Sequence, residues 1–223
     1  MYKLSKRFFD LFFSIILLIF FLPIFIFIIV VLFVFNNGDV FYFQTRLGLN
    51  NKIFRIIKFS SMMKDSLSLP GGATTTRNDP RVTKIGKFLR ITKLNELPQL
   101  INVIIGNMSF VGPRPLMNEG FSQFTVEAKS VLYKSKPGIT GVSSVVFRDE
   151  EKYVTYSGII PELFYKDYIF PYKSKLELWY YKNKSFYVDI MLIILTAIKI
   201  VFPSSRIEFK VFKTLPKDAY FSN

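Results

Sequence analysis

The chain has 223 residues, half of them apolar, and carries 30 Lys and Arg against 16 Asp and Glu, a formal net charge of +14. It has no Cys and no His, which excludes disulfides, thiolate metal sites and thiol nucleophiles and removes the commonest general base. Chemistry is left to carboxylates, Lys, Tyr and hydroxyls, any metal to a hard oxygen-bound ion such as magnesium, and the surplus charge points to anionic partners.

The first element is apolar. Leu11 to Phe35 contain no charged side chain, and a helix of that length reaches about 37 Å, enough to cross a hydrocarbon core of roughly 30 Å. Pro23 lies near its middle and predicts a break, and basic residues flank it on both sides: Lys3, Lys6 and Arg7 before, Arg46, Lys52 and Arg55 after. A simple span and a re-entrant hairpin with both ends in the cytoplasm are both consistent with this pattern. Val40–Phe43 and Ile53–Phe59, separated by a Gly–Asn turn region, read as a β-hairpin. Arg46 and Lys58 on it serve either a binding site or a basic face against lipid headgroups.

Residues 67–79 are rich in Gly, Thr and Ser and read as a flexible loop. Arg77, Arg81, Lys84, Lys87, Arg90 and Lys93 then follow with only Asp79 to offset them. Such a run is usually a solvated face, the reading adopted for Lys87 and Lys93. The next stretch, RITKLNELPQLINVIIGNMSFVGPRP (residues 90–115), has Leu97, Leu100, Ile101 and Ile104 at helical spacing, with Pro98 in the first turn where its missing N–H costs nothing. Asn95 and Glu96 therefore fall at a helix N-terminus, where an amide and an acid suit capping and the helix dipole as well as they suit catalysis. Two prolines fix Arg114 in a stiff turn.

Asn118 to Tyr133 predict one polar helix, followed by the turn Lys136–Gly141. Phe186 to Phe202 are a second apolar stretch, interrupted by Asp189 and Lys199; it suits an amphipathic helix on the membrane or closing the core better than a span. From Pro203 onward Arg206, Lys210, Lys213 and Lys217 give a basic tail with an electrostatic grip on an anionic leaflet.

The 90–115 stretch resembles the signature of the bacterial sugar transferases, the monotopic phosphoglycosyl transferases, in Arg90, Glu96 to Gln99, Asn102, Val103, Gly106, Met108, Ser109 and Val111 to Pro115. Lys6, Arg7 and Asp10, the block Asp79–Gly86, and Lys136–Gly141 with Arg148 are similar to further blocks of the same family, so the resemblance runs from Lys6 to about Thr196. There are departures. Asn95 stands where the family's Asp–Glu dyad has its aspartate, Ser60 and Ser61 replace an Arg and a Thr, and Ser144 and Phe147 replace a Gln and a Gly.

The resemblance implies transfer of a phosphosugar from a UDP-sugar to a polyprenyl (undecaprenyl) phosphate with release of UMP, at the bacterial inner membrane with the catalytic domain facing the cytoplasm. It implies the re-entrant helix-hairpin (residues 1–36), a catalytic domain (37–202) and the basic tail (203–223). The fold expected is α/β but mainly helical, a small membrane-associated domain with one β-hairpin and several amphipathic helices. Glu96 and Asn95 are the expected catalytic and Mg2+-holding residues, and Arg81, Arg90, Arg114, Arg148, Gln99 and Lys58 the expected phosphate and nucleotide-sugar ligands. An amide cannot act as the family's aspartate does, since its oxygen is a poor nucleophile. That leaves Glu96 as nucleophile, direct attack by the lipid phosphate, or a silent scaffold. Anionic membrane lipids are expected partners and a homodimer is left open. Nucleic acid is not expected, because the aromatic residues fall in apolar runs instead of alternating with basic ones.

Overall fold

The computed structural model describes residues 2–36, 38–64, 66 and 79–222; the loop expected at 67–79 lies outside them apart from Asp79. Helix α1 (Tyr2–Phe20) and helix α2 (Leu22–Phe35) are bent by 62° at Phe21. Pro23 sits in the first turn of α2, where proline fits, so the break falls just ahead of it. Among the described residues no single helix is long and apolar enough to cross a membrane, but this bent pair is, by length and composition.

The polar start of α1 ties it to the rest of the chain. Lys6 and Tyr2 reach Asp189 at 2.5 and 2.8 Å, Arg7 donates to the carbonyls of Val103 and Ile104 at 2.7 and 2.9 Å, and the buried Asp10 accepts from Ser109 Oγ and the Phe110 N–H, both at 3.1 Å. Lys6, Arg7 and Asp10 each have a partner on another element, which offsets the cost of holding charge near lipid.

Strands β1 (Phe41–Leu47) and β2 (Ile53–Phe59) form the antiparallel hairpin, in register from Phe41 opposite Phe59 to Leu47 opposite Ile53. Asn50 and Asn51 take positive φ in its turn, a conformation Asn tolerates. Helix α3 (Lys84–Thr92), capped by Thr83, leads through a 3₁₀ turn at Leu94–Glu96 into α4 (Gln99–Ile105). Asn95 is thus inside the turn and caps nothing; Pro98 occupies the cap position.

Strand β3 (Ser109–Val111) pairs in parallel with β4 (Gly138–Thr140), bringing the turns at Gly112–Pro115 and Lys136–Gly141 together. Their backbones touch: a Cβ on Gly112 would lie 2.2 Å from the Lys136 carbonyl oxygen and one on Gly138 2.2 Å from the Gly112 nitrogen, so both positions require glycine. The single helix expected at 118–133 is two, α5 (Asn118–Ser122) and α6 (Val126–Leu132), because Thr125 caps the second by accepting from the Ala128 N–H.

Helices α7 (Val142–Val146), α8 (Glu150–Tyr156), α9 (Pro161–Phe164), α10 (Phe170–Asn183) and α11 (Phe186–Val201) build the main core with Val145, Phe164, Tyr172, Leu176, Leu192 and Leu195. The residues after Pro203 are not a free tail. Helix α12 (Glu208–Val211) and the segment behind it bury Phe212, Leu215 and Phe221 in that core, and Phe221 stacks on Tyr172 with an interplanar angle of 3°. Apolar spacing among the basic residues overrode their charge. The charges of α11 are also inside: Lys199 pairs with Glu208 at 2.9 Å, both essentially inaccessible.

Candidate active site

A cavity of about 1960 Å³ opens between the hairpin, α3, the 3₁₀ turn, the Gly112–Pro115 turn and helices α7 to α10. Lys58 enters it from β2, and its neighbour Phe59 is buried and packs on Phe25 of α2. Asn102 of α4 fixes the strand: its Oδ1 accepts from the Ile57 N–H at 2.9 Å and its Nδ2 donates to the Arg55 carbonyl at 2.8 Å. The helix that follows Glu96 is thereby locked to the strand that carries Lys58.

On the cavity wall Glu96 Oε1 receives Lys58 Nζ at 3.2 Å and Arg114 Nη2 at 3.0 Å. Burial pushes the Glu96 carboxyl up, but Lys58, Arg114 and Lys93 together outweigh it and hold it well below the usual carboxylate range, so it is ionised at neutral pH. Lys58 is pushed down to about 8, by burial first and by Arg114 and Arg46 next, against the attraction of Glu96. Arg114 is raised, mainly by Glu96, although its side chain is 43% exposed and solvent screens the pair.

Asn95, beside Glu96, is buried, lines the cavity, and has an Oδ1 with no hydrogen-bond partner. A buried acceptor left open is a cost that a ligand can remove. Among the described residues no cluster of three or more acidic side chains is placed to hold a metal. The donor set is one amide oxygen and one carboxylate, which suits magnesium, since that ion completes its shell with substrate phosphate and water.

Of the residues expected from sequence, Glu96, Asn95, Lys58, Arg90, Arg114 and Arg148 line this cavity. Arg81 and Gln99 are not on its wall. Arg81 is buried, its Nε and Nη2 meeting the two Asp79 carboxylate oxygens at 2.8 and 2.6 Å and its Nη1 the Ser66 carbonyl at 3.0 Å. Gln99 is buried on α4 with Nε2 unpartnered. Lys87 and Lys93, expected as solvated, are exposed but also line the cavity. Glu150, Glu151, Lys173, Glu177 and Ser143 were not singled out as site residues in the sequence, and all five are on the wall.

Residues 1–203 match the family model described as bacterial sugar transferase. The chain is 34% identical over 209 residues to an undecaprenyl-phosphate glucose phosphotransferase of Komagataeibacter xylinus, covering 89% of this chain and 36% of that protein. It is 36% identical over 166 residues to the exopolysaccharide production protein ExoY of Sinorhizobium fredii, covering 68% and 73%. With the UDP-glucose:undecaprenyl-phosphate glucose-1-phosphate transferase of Escherichia coli the identity is 40% over 148 residues, covering 64% and 31%. The chain thus spans about a third of the first and third of these relatives and nearly three quarters of the second.

Proposed function

The chain belongs to the bacterial sugar transferases, and from that premise we propose that it moves a phosphosugar from a UDP-sugar to a polyprenyl phosphate and releases UMP. The observation that carries this reading is the ionised Glu96, held between Lys58 and Arg114 on the wall of a large cavity, with the open oxygen of Asn95 beside it. A diphosphate needs cations to take up charge that develops on its oxygens, and Lys58, Arg90, Arg114 and Arg148 supply them.

Glu96 is the nucleophile in this reading. A carboxylate oxygen attacks the phosphorus next to the sugar, the bond from that phosphorus to the bridging oxygen breaks, and UMP leaves with the electron pair. An oxygen of the polyprenyl phosphate then attacks the same phosphorus, and the Glu96 carboxylate departs unchanged. Asn95 Oδ1 and Glu96 would hold Mg2+, which when bound spreads the negative charge of the diphosphate. Lys58 and Arg114 hold the carboxylate ionised and aimed.

The lipid acceptor enters from the bilayer. The bent pair α1 and α2, the basic residues on both its flanks and the exposed Phe8, Phe12, Phe27 and Phe33 favour a re-entrant hairpin that keeps the cavity on the cytoplasmic side of the bacterial inner membrane. Incubation with a UDP-sugar and magnesium but no acceptor tests the nucleophile: about one equivalent of UMP is released and label from the sugar phosphate stays on the protein, and Glu96→Gln abolishes both. UMP release that strictly requires polyprenyl phosphate would instead favour direct transfer.

A further inference from the structure

The cavity has two chemically different walls. The cationic wall around Glu96 suits a diphosphate. Elsewhere on its lining, α7 and α10 present a hydroxyl and a carboxyl: Ser143 is 5% exposed and Glu177 4% exposed, both line the cavity, they face each other, and Glu177 Oε2 has no hydrogen-bond partner. The two lie close enough for Ser143 to favour the ionised form of Glu177. The nearest cation is engaged elsewhere, because Lys173 Nζ sits on both oxygens of Glu150 at 2.8 and 2.7 Å. A buried carboxyl with no salt bridge among the described residues, one of whose oxygens is open, contributes nothing to packing that a leucine or methionine would not contribute better.

We propose that Ser143 and Glu177 form the sugar subsite, binding hydroxyl groups of the hexose ring of the nucleotide sugar. This rests on the transferase reading and extends it to the part of the substrate that the cations cannot recognise. The chemistry matches: a sugar hydroxyl is both donor and acceptor, Ser143 Oγ offers both, and Glu177 offers acceptor oxygens. Burial pushes Glu177 up to about 7, so at neutral pH its carboxyl also supplies a donor in part of the population. Phe147 and Tyr165, on the same wall, supply apolar surface for the C–H faces of a ring.

The test compares binding of UDP-glucose, UDP-galactose and their N-acetylamino counterparts with binding of UDP alone, using the full chain in lipid nanodiscs. Glu177→Gln and Ser143→Ala are expected to weaken the tightest UDP-sugar about tenfold each while UDP binding stays within about twofold. Parallel weakening of UDP and UDP-sugar, or no change in either, overturns the subsite and leaves the transferase reading standing. A wild-type protein that binds UDP-sugars no better than unrelated nucleotides overturns both. Ser143→Ala removes a single oxygen, so it carries the test if Glu177→Gln fails to fold.

Discussion

Asp79 with Arg81, and Glu96 with Lys58 and Arg114, are both clusters of a carboxylate with an arginine, and they differ in what they leave unused. In the first, both carboxylate oxygens and three guanidinium nitrogens are committed to each other and to Ser66. In the second, one carboxylate oxygen takes both cations, the cluster lines an open cavity, and the neighbouring Asn95 oxygen has no partner. A closed pair fixes backbone, whereas an open one is available to a ligand. Glu177 is the third case, a buried carboxyl with no salt bridge among the described residues.

The largest effect that separates the two clusters is on rate. Glu96→Gln keeps the shape and removes the charge, and should lower UMP release per folded molecule about a thousandfold, roughly 4 kcal/mol of barrier. Arg81→Met should do the reverse. It strands the Asp79 carboxylate and should cost about 3 kcal/mol of stability in denaturant titration, with turnover per folded molecule unchanged. A large loss of turnover in folded Arg81→Met would place Arg81 back among the substrate ligands.

Glu177 sharpens the contrast through pH. Its folded pKa lies above the ordinary 4.5, at about 7, so the fold favours the protonated carboxyl. The associated stability is fully present below pH 4.5 and is lost as pH rises through 7. The difference corresponds to ~3 kcal/mol. Glu177→Gln should therefore melt near the wild type at pH 4.5 and well above it at pH 8.

Lys58 gives the smallest effect. Its folded pKa of about 8 is below the ordinary 10.5, so the cation beside Glu96 is lost as pH rises through 8. Transfer should fall about tenfold per pH unit above that point, and Lys58→Arg, whose charge persists, should abolish the decline.

Local pattern made part of this molecule legible in sequence. The hairpin, the break near Pro23, the helix after Glu96 and the GPRP and PGITG turns each follow from spacing or turn chemistry within a few residues. Arg81 was expected at the site from the resemblance of the Asp79–Gly86 block, and it lies buried off the cavity wall. The signal was Asp79, two residues away across Pro80, placed to close on it. The break between α5 and α6 was carried by Thr125, a capping residue in the middle of the expected helix.

Other features had no local signal. Glu177 lies in KLELWYYK, where it reads as a surface charge on a helix, and only the packing of α7 against α10 buries it. Asp189 and Lys199 looked like interruptions of an apolar stretch, and their partners Lys6 and Glu208 come from opposite ends of the chain. Burial of a charge depends on the element laid over it, α1 for Asp189 and α12 for Lys199.

UMP release by the purified full chain in nanodiscs, with polyprenyl phosphate, magnesium and a panel of UDP-sugars, tests most directly whether Glu96 carries the chemistry beside an asparagine. Wild type, Glu96→Gln and Asn95→Asp are run together. Turnover by the wild type and its loss in Glu96→Gln is the predicted result. A silent wild type with an active Asn95→Asp would contradict it and make the native chain a binding protein on a transferase fold.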